Sequence, residues 1–186
     1  MPVNSNKIFQ KYPNRFFVET GTFQGKGLAF AVSCDFEKFF SIEVCKINYD
    51  NCCKKFQHEI ADGKLELFLG ASEDVLWDVI KDIDEPITFW LDAHYSGKTK
   101  AYVTGKSDVN SPIFREINVI AKHPIKTHTI MVDDRRDFGT NNFNFVTEKQ
   151  VVDAIKSINP KYEISYNTGH DGDKMFQNDV LVARVM

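Results

Sequence analysis

The 186-residue chain has no C-x-x-C pair and no cysteine and histidine at zinc-binding spacing, which argues against a structural zinc site. Its four cysteines, Cys34, Cys45, Cys52 and Cys53, fall within segments that read as helices, and buried, reduced thiols are expected. No stretch approaches the roughly 20 apolar residues of a membrane span, and the opening Met-Pro-Val-Asn-Ser-Asn-Lys has no apolar signal core. A soluble, cytoplasmic protein is expected. A long Lys/Arg run is missing too, and 23 basic against 26 acidic residues give a formal net charge of -3. That balance indicates neither nucleic acid nor an anionic membrane as a partner. There is no internal repeat or low-complexity tract. A composition of 42% hydrophobic and 26% charged residues suits one globular domain over 1–186, with a core large enough to fold without staples.

What the chain does have is alternation. Short apolar runs at 16–18, 39–42, 65–69, 87–91 and 129–132 are rich in Phe, Ile, Leu and Val, as in strands buried on both faces. Helical stripes fill the gaps: Cys45, Tyr49, Cys52, Cys53 and Phe56; Val75, Leu76, Val79, Ile80 and Ile83; Ile113, Phe114, Ile117, Ile120 and Ala121. Ser72 reads as an N-cap followed by two acids, and Ser111-Pro112 as a helix start. Val151, Val152, Ile155 and Ile158 form a further helix, stopped at Asn159-Pro160. Two strands follow, at about 162–166 and 179–185, with no helix between them, which predicts a C-terminal antiparallel hairpin. The fold class is therefore α/β: a Rossmann-like three-layer sandwich around a mostly parallel seven-stranded sheet.

The segment Phe16-Phe-Val-Glu-Thr-Gly-Thr-Phe-Gln-Gly-Lys-Gly27 is the first candidate site. It reads as a strand, a glycine-rich turn and a helix, with a second strand ending at Glu43. Glycines allow a tight turn and close approach of a ligand, and a carboxylate at a second strand end can accept both ribose hydroxyls. The dinucleotide fingerprint G-x-G-x-x-G fails, because Phe23 and Lys26 stand where its later glycines belong. The pattern present, E-x-G-x-x-x-G-x-G, resembles motif I of the class I S-adenosylmethionine-dependent methyltransferases.

The second candidate site is acidic. Asp92 follows the fourth strand and is itself followed by His94, and Asp133-Asp134-Arg135-Arg136 follows the fifth. Carboxylates gathered at neighbouring strand ends repel unless a cation joins them, and oxygen ligands favour Mg²⁺ or a similar hard ion. The plainer reading has Asp92 capping a turn and Asp133 or Asp134 pairing with Arg135 or Arg136. An Asp after the fourth strand and an acidic pair after the fifth resemble the metal ligands of catechol O-methyltransferase and, more closely, of the macrocin-type sugar O-methyltransferases. Phe89-Trp-Leu-Asp-Ala-His-Tyr-Ser-Gly, the Ser-Pro…Glu116 helix and Val132-Asp-Asp-Arg-Arg-Asp-Phe-Gly139 also resemble a group of small, mostly uncharacterised proteins classed with them.

The resemblance implies that Glu19, Gly21, Thr22 and Gly25 hold the methionine end of S-adenosylmethionine, Glu43 the ribose, and Gly70, Ala71 and Ser72 the adenine. Asp92 would border the cofactor and, with Asp133 and Asp134, hold the metal. The implied reaction is metal-assisted methyl transfer to a hydroxyl of a sugar or other small polyol, with His94 or Asp92 as general base. The chain departs from the catechol enzymes at Tyr95, where they have lysine. Residues 94–110 have no apolar period and read as a substrate loop, in which Tyr95 and Tyr102 could stack on a ring. A nucleotide-binding oxidoreductase or nucleotide-sugar enzyme, and a catalytically silent binding module, stay open as alternatives. So does a homodimer that completes the site.

Overall fold

Residues 7–95, 97, 108–169 and 176–186 are described from a computed structural model. Strands β1 (Phe16–Thr20), β2 (Lys38–Glu43), β3 (Leu65–Leu69), β4 (Ile87–Leu91) and β5 (Thr129–Val132) are parallel. Strands β6 (Tyr162–Asn167) and β7 (Val180–Val185) complete a seven-stranded sheet of order β3-β2-β1-β4-β5-β7-β6. β7 runs antiparallel to both of its neighbours. The mostly parallel sheet with its antiparallel C-terminal pair is the architecture expected from the sequence.

Continuous apolar strands follow from cover on both faces. Every residue of β4 is buried, with Phe89 and Leu91 on one face and Trp90 on the other. The Phe89 face packs against α5 (Ser72–Ile80), α6 (Ile113–Lys122) and α7 (Glu148–Ile158) through Leu76, Ile80, Ile117, Ile120, Val151 and Ile155. The Trp90 face packs against α1 (Lys7–Lys11), α2 (Lys26–Val32) and α3 (Lys46–Lys55) through Phe9, Leu28, Ala31 and Cys52. Each fully buried aliphatic side chain contributes roughly 1.5–3 kcal/mol. The exception is β3, whose Glu66 and Leu69 are exposed, because it is an edge strand.

Local departures from the sequence reading have local causes. The stripe from Cys45 to Phe56 ends one helix at Lys55, and a separate short helix, α4 (Gln57–Ala61), follows. Ala71, not Ser72, is the N-cap of α5, so Ser72 is its first helical residue. Pro112 is the N-cap of α6. All four cysteines are free thiols, but only Cys52 is buried, since Cys34 lies beyond the end of α2 and Cys45 caps α3. α7 carries a full capping box, Thr147 with Gln150. Among the described residues, no helix is long and apolar enough to cross a membrane.

His123 and His128, far apart from the acidic site in sequence pattern, meet in the core. His128 Nδ1 accepts from the Ile87 N–H at 3.1 Å, and its Nε2 lies 3.1 Å from His123 Nδ1. His123 Nε2 lies 3.1 and 3.0 Å from the carbonyls of Ile80 and Ile83. This pattern fits two neutral Nε2–H tautomers. Burial above all, with the unfavourable proximity of a second imidazole at His123, pushes His128 down to about 3.

Candidate functional site

The sheet order reverses between β1 and β4, and open α/β sheets bind ligands in the crevice at such a point. An open cleft of about 530 Å³, solvent at its mouth included, lies there at the carboxyl ends of the strands. Of the residues singled out for a cofactor, Gly21, Glu43, Gly70, Ala71, Ser72 and Asp92 line it. Glu19, Thr22 and Gly25 are buried and do not line it.

Close approach of the β1 and β4 ends explains Gly21. Its φ is +82°, and a Cβ there would fall 2.5 Å from the Asp92 carbonyl oxygen. Only glycine fits without pushing the two cleft walls apart.

The β1/β2 end of the cleft is a buried hydrogen-bond network. Glu19 accepts from the Ser41 hydroxyl at 2.6 Å, and Ser41 in turn pairs with the Thr22 hydroxyl at 2.5 Å. Burial pushes Glu19 up to about 8, against the Ser41 hydrogen bond and with added repulsion from Asp92 and Glu43. Glu43 accepts from the backbone N–H of Phe23 at 2.6 Å and of Cys45 at 2.7 Å. Burial raises its pKa above the ordinary carboxylate value, while these N–H groups and Asn48 oppose the rise. Phe23 has φ +49°, a left-handed conformation costly for a bulky residue. The Glu43 carboxylate therefore also holds the strained glycine-rich turn in place, a role that its position at a strand end did not reveal.

At the β4/β5 end, acids meet acids. His94 Nδ1 lies 3.6 Å from Asp92 and its Nε2 3.2 Å from Asp134. Burial disfavours charge on His94, but the hydrogen bond and charge of Asp92, with Asp134 and Asp137, outweigh it and raise its pKa. Asp92 is also raised, by burial first and then by Asp134, against His94. Asp133 is raised well above the ordinary value by burial, Asp92 and Asp134. Asp134 sits at φ +54°, a conformation that Asp tolerates better than most residues.

Two overlapping groups of donors each lie within 4.8 Å: Asp92, His94 and Asp134, and Asp133, Asp134 and Asp179. Asp134 belongs to both, whereas Asp92 and Asp133 fall in different groups. The expected trio is thus spread over two sets that Asp134 joins. An imidazole with two carboxylates suits a transition ion such as Mn²⁺ as well as Mg²⁺, and the all-carboxylate set suits a hard ion. The donor chemistry fits a divalent cation at either position.

The arginines divide. Arg136 pairs with Asp134 and Asp179, so it neutralises the acids. Arg135 bonds Glu148 at 2.8 Å and lies over the Tyr166 ring at 4.1 Å. Asp179 was not singled out from sequence. It precedes β7, and the antiparallel direction of that strand brings its start beside the end of β5. Tyr95 lines the cleft, while Tyr102 and most of the proposed substrate loop lie outside the described residues.

Solved structures share this architecture. An O-methyltransferase from Bacillus cereus in complex with SAH superposes with a TM-score of 0.63 at 14% identity, over 97% of this chain and 78% of the other. The O-methyltransferase TomG from Streptomyces achromogenes, involved in tomaymycin synthesis and in complex with SAM, gives 0.61 at 12%, over 97% and 77%. Spermidine synthase from Thermotoga maritima gives 0.59 at 11%, over 95% and 56%. The fold is shared with all three. At such identities the likeness establishes the fold alone, and the spermidine synthase shows that this fold carries more than methyl transfer. No family model and no curated protein sequence matches the chain.

Proposed function

We propose that the protein is an S-adenosylmethionine-dependent O-methyltransferase, metal-assisted, that acts on a hydroxyl of a sugar or other small polyol. The observation that carries the reading is the cleft itself, whose lining at the sheet's switch point includes a strand-end carboxylate, Glu43, and also Asp92 and His94, which share a donor group with the buried Asp134.

Gly21 and the Glu43-braced turn would take the cofactor's methionine and ribose parts, and Gly70, Ala71 and Ser72 its adenine. S-adenosylmethionine, when bound, supplies an electrophilic methyl group on a sulfonium. Asp134 together with Asp92 and His94, or together with Asp133 and Asp179, would hold the cation, which when bound would lower the pKa of a coordinated hydroxyl. His94 or Asp92 would receive the acceptor's proton, and Arg136 limits the repulsion between Asp134 and Asp179. Holding donor and acceptor in one orientation supplies much of the rate. The antiparallel β7 between β5 and β6, with the broken G-x-G-x-x-G spacing, weighs against a dinucleotide oxidoreductase.

The test is incubation with methyl-labelled S-adenosylmethionine, Mg²⁺ and a panel of sugars, polyols and catechols. Label should appear on a hydroxyl and disappear with chelator or with Asp92→Asn. Tight cofactor binding without transfer to any member of the panel would contradict the acceptor class.

A further inference from the structure

Behind the cleft wall lies a carboxyl group that the proposed reaction does not use. Glu116 stands in the first turn of α6 and is only 1% exposed. The hydroxyls of Ser72, the first residue of α5, and Thr20, the last of β1, are neighbours close enough to act on its carboxyl. Both hydroxyl residues are buried. Gly21, the neighbour of Thr20, lines the cleft, as do Ser72 and Pro112, whose carbonyl accepts from the Glu116 N–H at 3.0 Å. Two segments of the cleft wall, the end of β1 and the start of α5, therefore neighbour the Glu116 side chain, and the backbone of Glu116 is held by a third at Pro112.

Thr20 Oγ1, Ser72 Oγ and Glu116 Oε1 are buried and have no hydrogen-bond partner within normal bonding geometry. Such atoms are costly to leave unsatisfied, and hydroxyl donors facing a carboxyl acceptor need only a small adjustment to pair. Burial pushes the Glu116 carboxyl up to about 7; the two hydroxyls oppose this, and Glu73 and Asp92 add to it. In either protonation state a carboxyl oxygen can accept from a hydroxyl. Glu116 lines a second, smaller void that also touches Asp92 and His94, so it sits between the two halves of the site.

We propose that Glu116 is a positioning residue: it ties the end of β1 and the Gly70–Ser72 loop to α6, so that the adenosyl half of the cleft is held in register. The inference rests on reading the cleft as a cofactor site. Its test is hydrogen exchange on the ligand-free protein together with calorimetric titration by S-adenosylhomocysteine, for the wild type, Glu116→Gln, Glu116→Leu and Thr20→Val. Amides of residues 20–22 and 70–73 should exchange faster in Glu116→Leu and Thr20→Val, with β4 and β5 unchanged. Affinity should fall about tenfold in both, the size of one lost buried hydrogen bond. Glu116→Gln, which keeps an acceptor oxygen and nearly the same volume as leucine, should behave like the wild type. Should Glu116→Leu fail to fold, Thr20→Val carries the same test from the other side of the contact. Unchanged exchange in the folded variants, or equal damage by Gln and Leu, would overturn the tie. Loosened loops in a protein whose wild type binds no S-adenosylhomocysteine would uphold the tie and sink the cofactor reading instead.

Discussion

The two halves of the cleft treat buried carboxyls in opposite ways. At the β1/β2 end, Glu19 and Glu43 each meet donors that belong to the fold: Ser41 for the first, the Phe23 and Cys45 amides for the second. At the β4/β5 end, Asp92, Asp133, Asp134 and Asp179 crowd together beside the imidazole of His94 and the guanidinium of Arg136. The first arrangement is internally satisfied and can be rigid before any ligand arrives. The second leaves carboxyls repelling one another, so it gains stability from any added cation. A cofactor cradle and a cation-hungry acceptor end are what such a division would serve.

Breaking the acidic half should have the largest effect. Asp134→Asn keeps a residue that tolerates φ +54° but removes the donor common to both groups. Calorimetric binding of Mg²⁺ or Mn²⁺ should be lost, and turnover on a productive acceptor should fall on the order of 10²–10³-fold, the scale of losing one electrostatic stabiliser at a reaction centre. Affinity for S-adenosylhomocysteine should stay within about threefold, because the variant leaves the hydrogen bonds of the other half intact. A variant fully active in chelator would contradict the division.

Breaking the satisfied half comes next. Glu43→Ala should weaken cofactor binding by about 1.5–3 kcal/mol, the range for a hydrogen bond to a charged group. It should also loosen the turn at Phe23, visible as faster amide exchange there, while divalent-cation binding is retained. Unchanged affinity would remove the ribose assignment.

A smaller effect sharpens the contrast through pH. Burial pushes the Glu19 carboxyl of the folded protein up to about 8, from an ordinary carboxylate value of 4.5. The folded state therefore holds a proton that the unfolded state has lost between these values, and stability must fall as pH rises through that window. Glu19→Gln cannot titrate. Relative to it, the wild type should lose about 1 kcal/mol of unfolding free energy between pH 6 and 7. The buried histidine pair supplies a control of opposite sign. His128 has its pKa depressed to about 3, so its contribution is present above pH 6.5 and lost as pH falls toward 3. His128→Gln should flatten the acid limb of the denaturation curve without touching the slope assigned to Glu19.

The strands were legible because burial on both faces leaves a plain mark. Ile87-Thr-Phe-Trp-Leu91 is apolar at four of five positions, and the acid that follows it had to fall at the sheet's carboxyl edge. α1 left no such mark, since five residues are too short for a period, yet Ile8 and Phe9 enter the core. The sequence reading paired Asp92 with Asp133 and Asp134 by strand position. It could not show that Asp134 alone reaches both donor groups, because that depends on the left-handed turn at Asp134. Asp179 and Glu116 were harder still. The first enters through the direction of β7 and the second through the packing of α6 behind the cleft, and neither is a matter of spacing along the chain.

The central claim is that the cleft takes an adenosyl sulfur cofactor beside a divalent cation. It is tested most directly by calorimetric titration of the protein with S-adenosylmethionine, S-adenosylhomocysteine and NAD, each with and without Mg²⁺. The account predicts micromolar binding of both sulfur compounds, none of NAD, and a separate heat of Mg²⁺ binding. NAD binding with no response to either sulfur compound would contradict it.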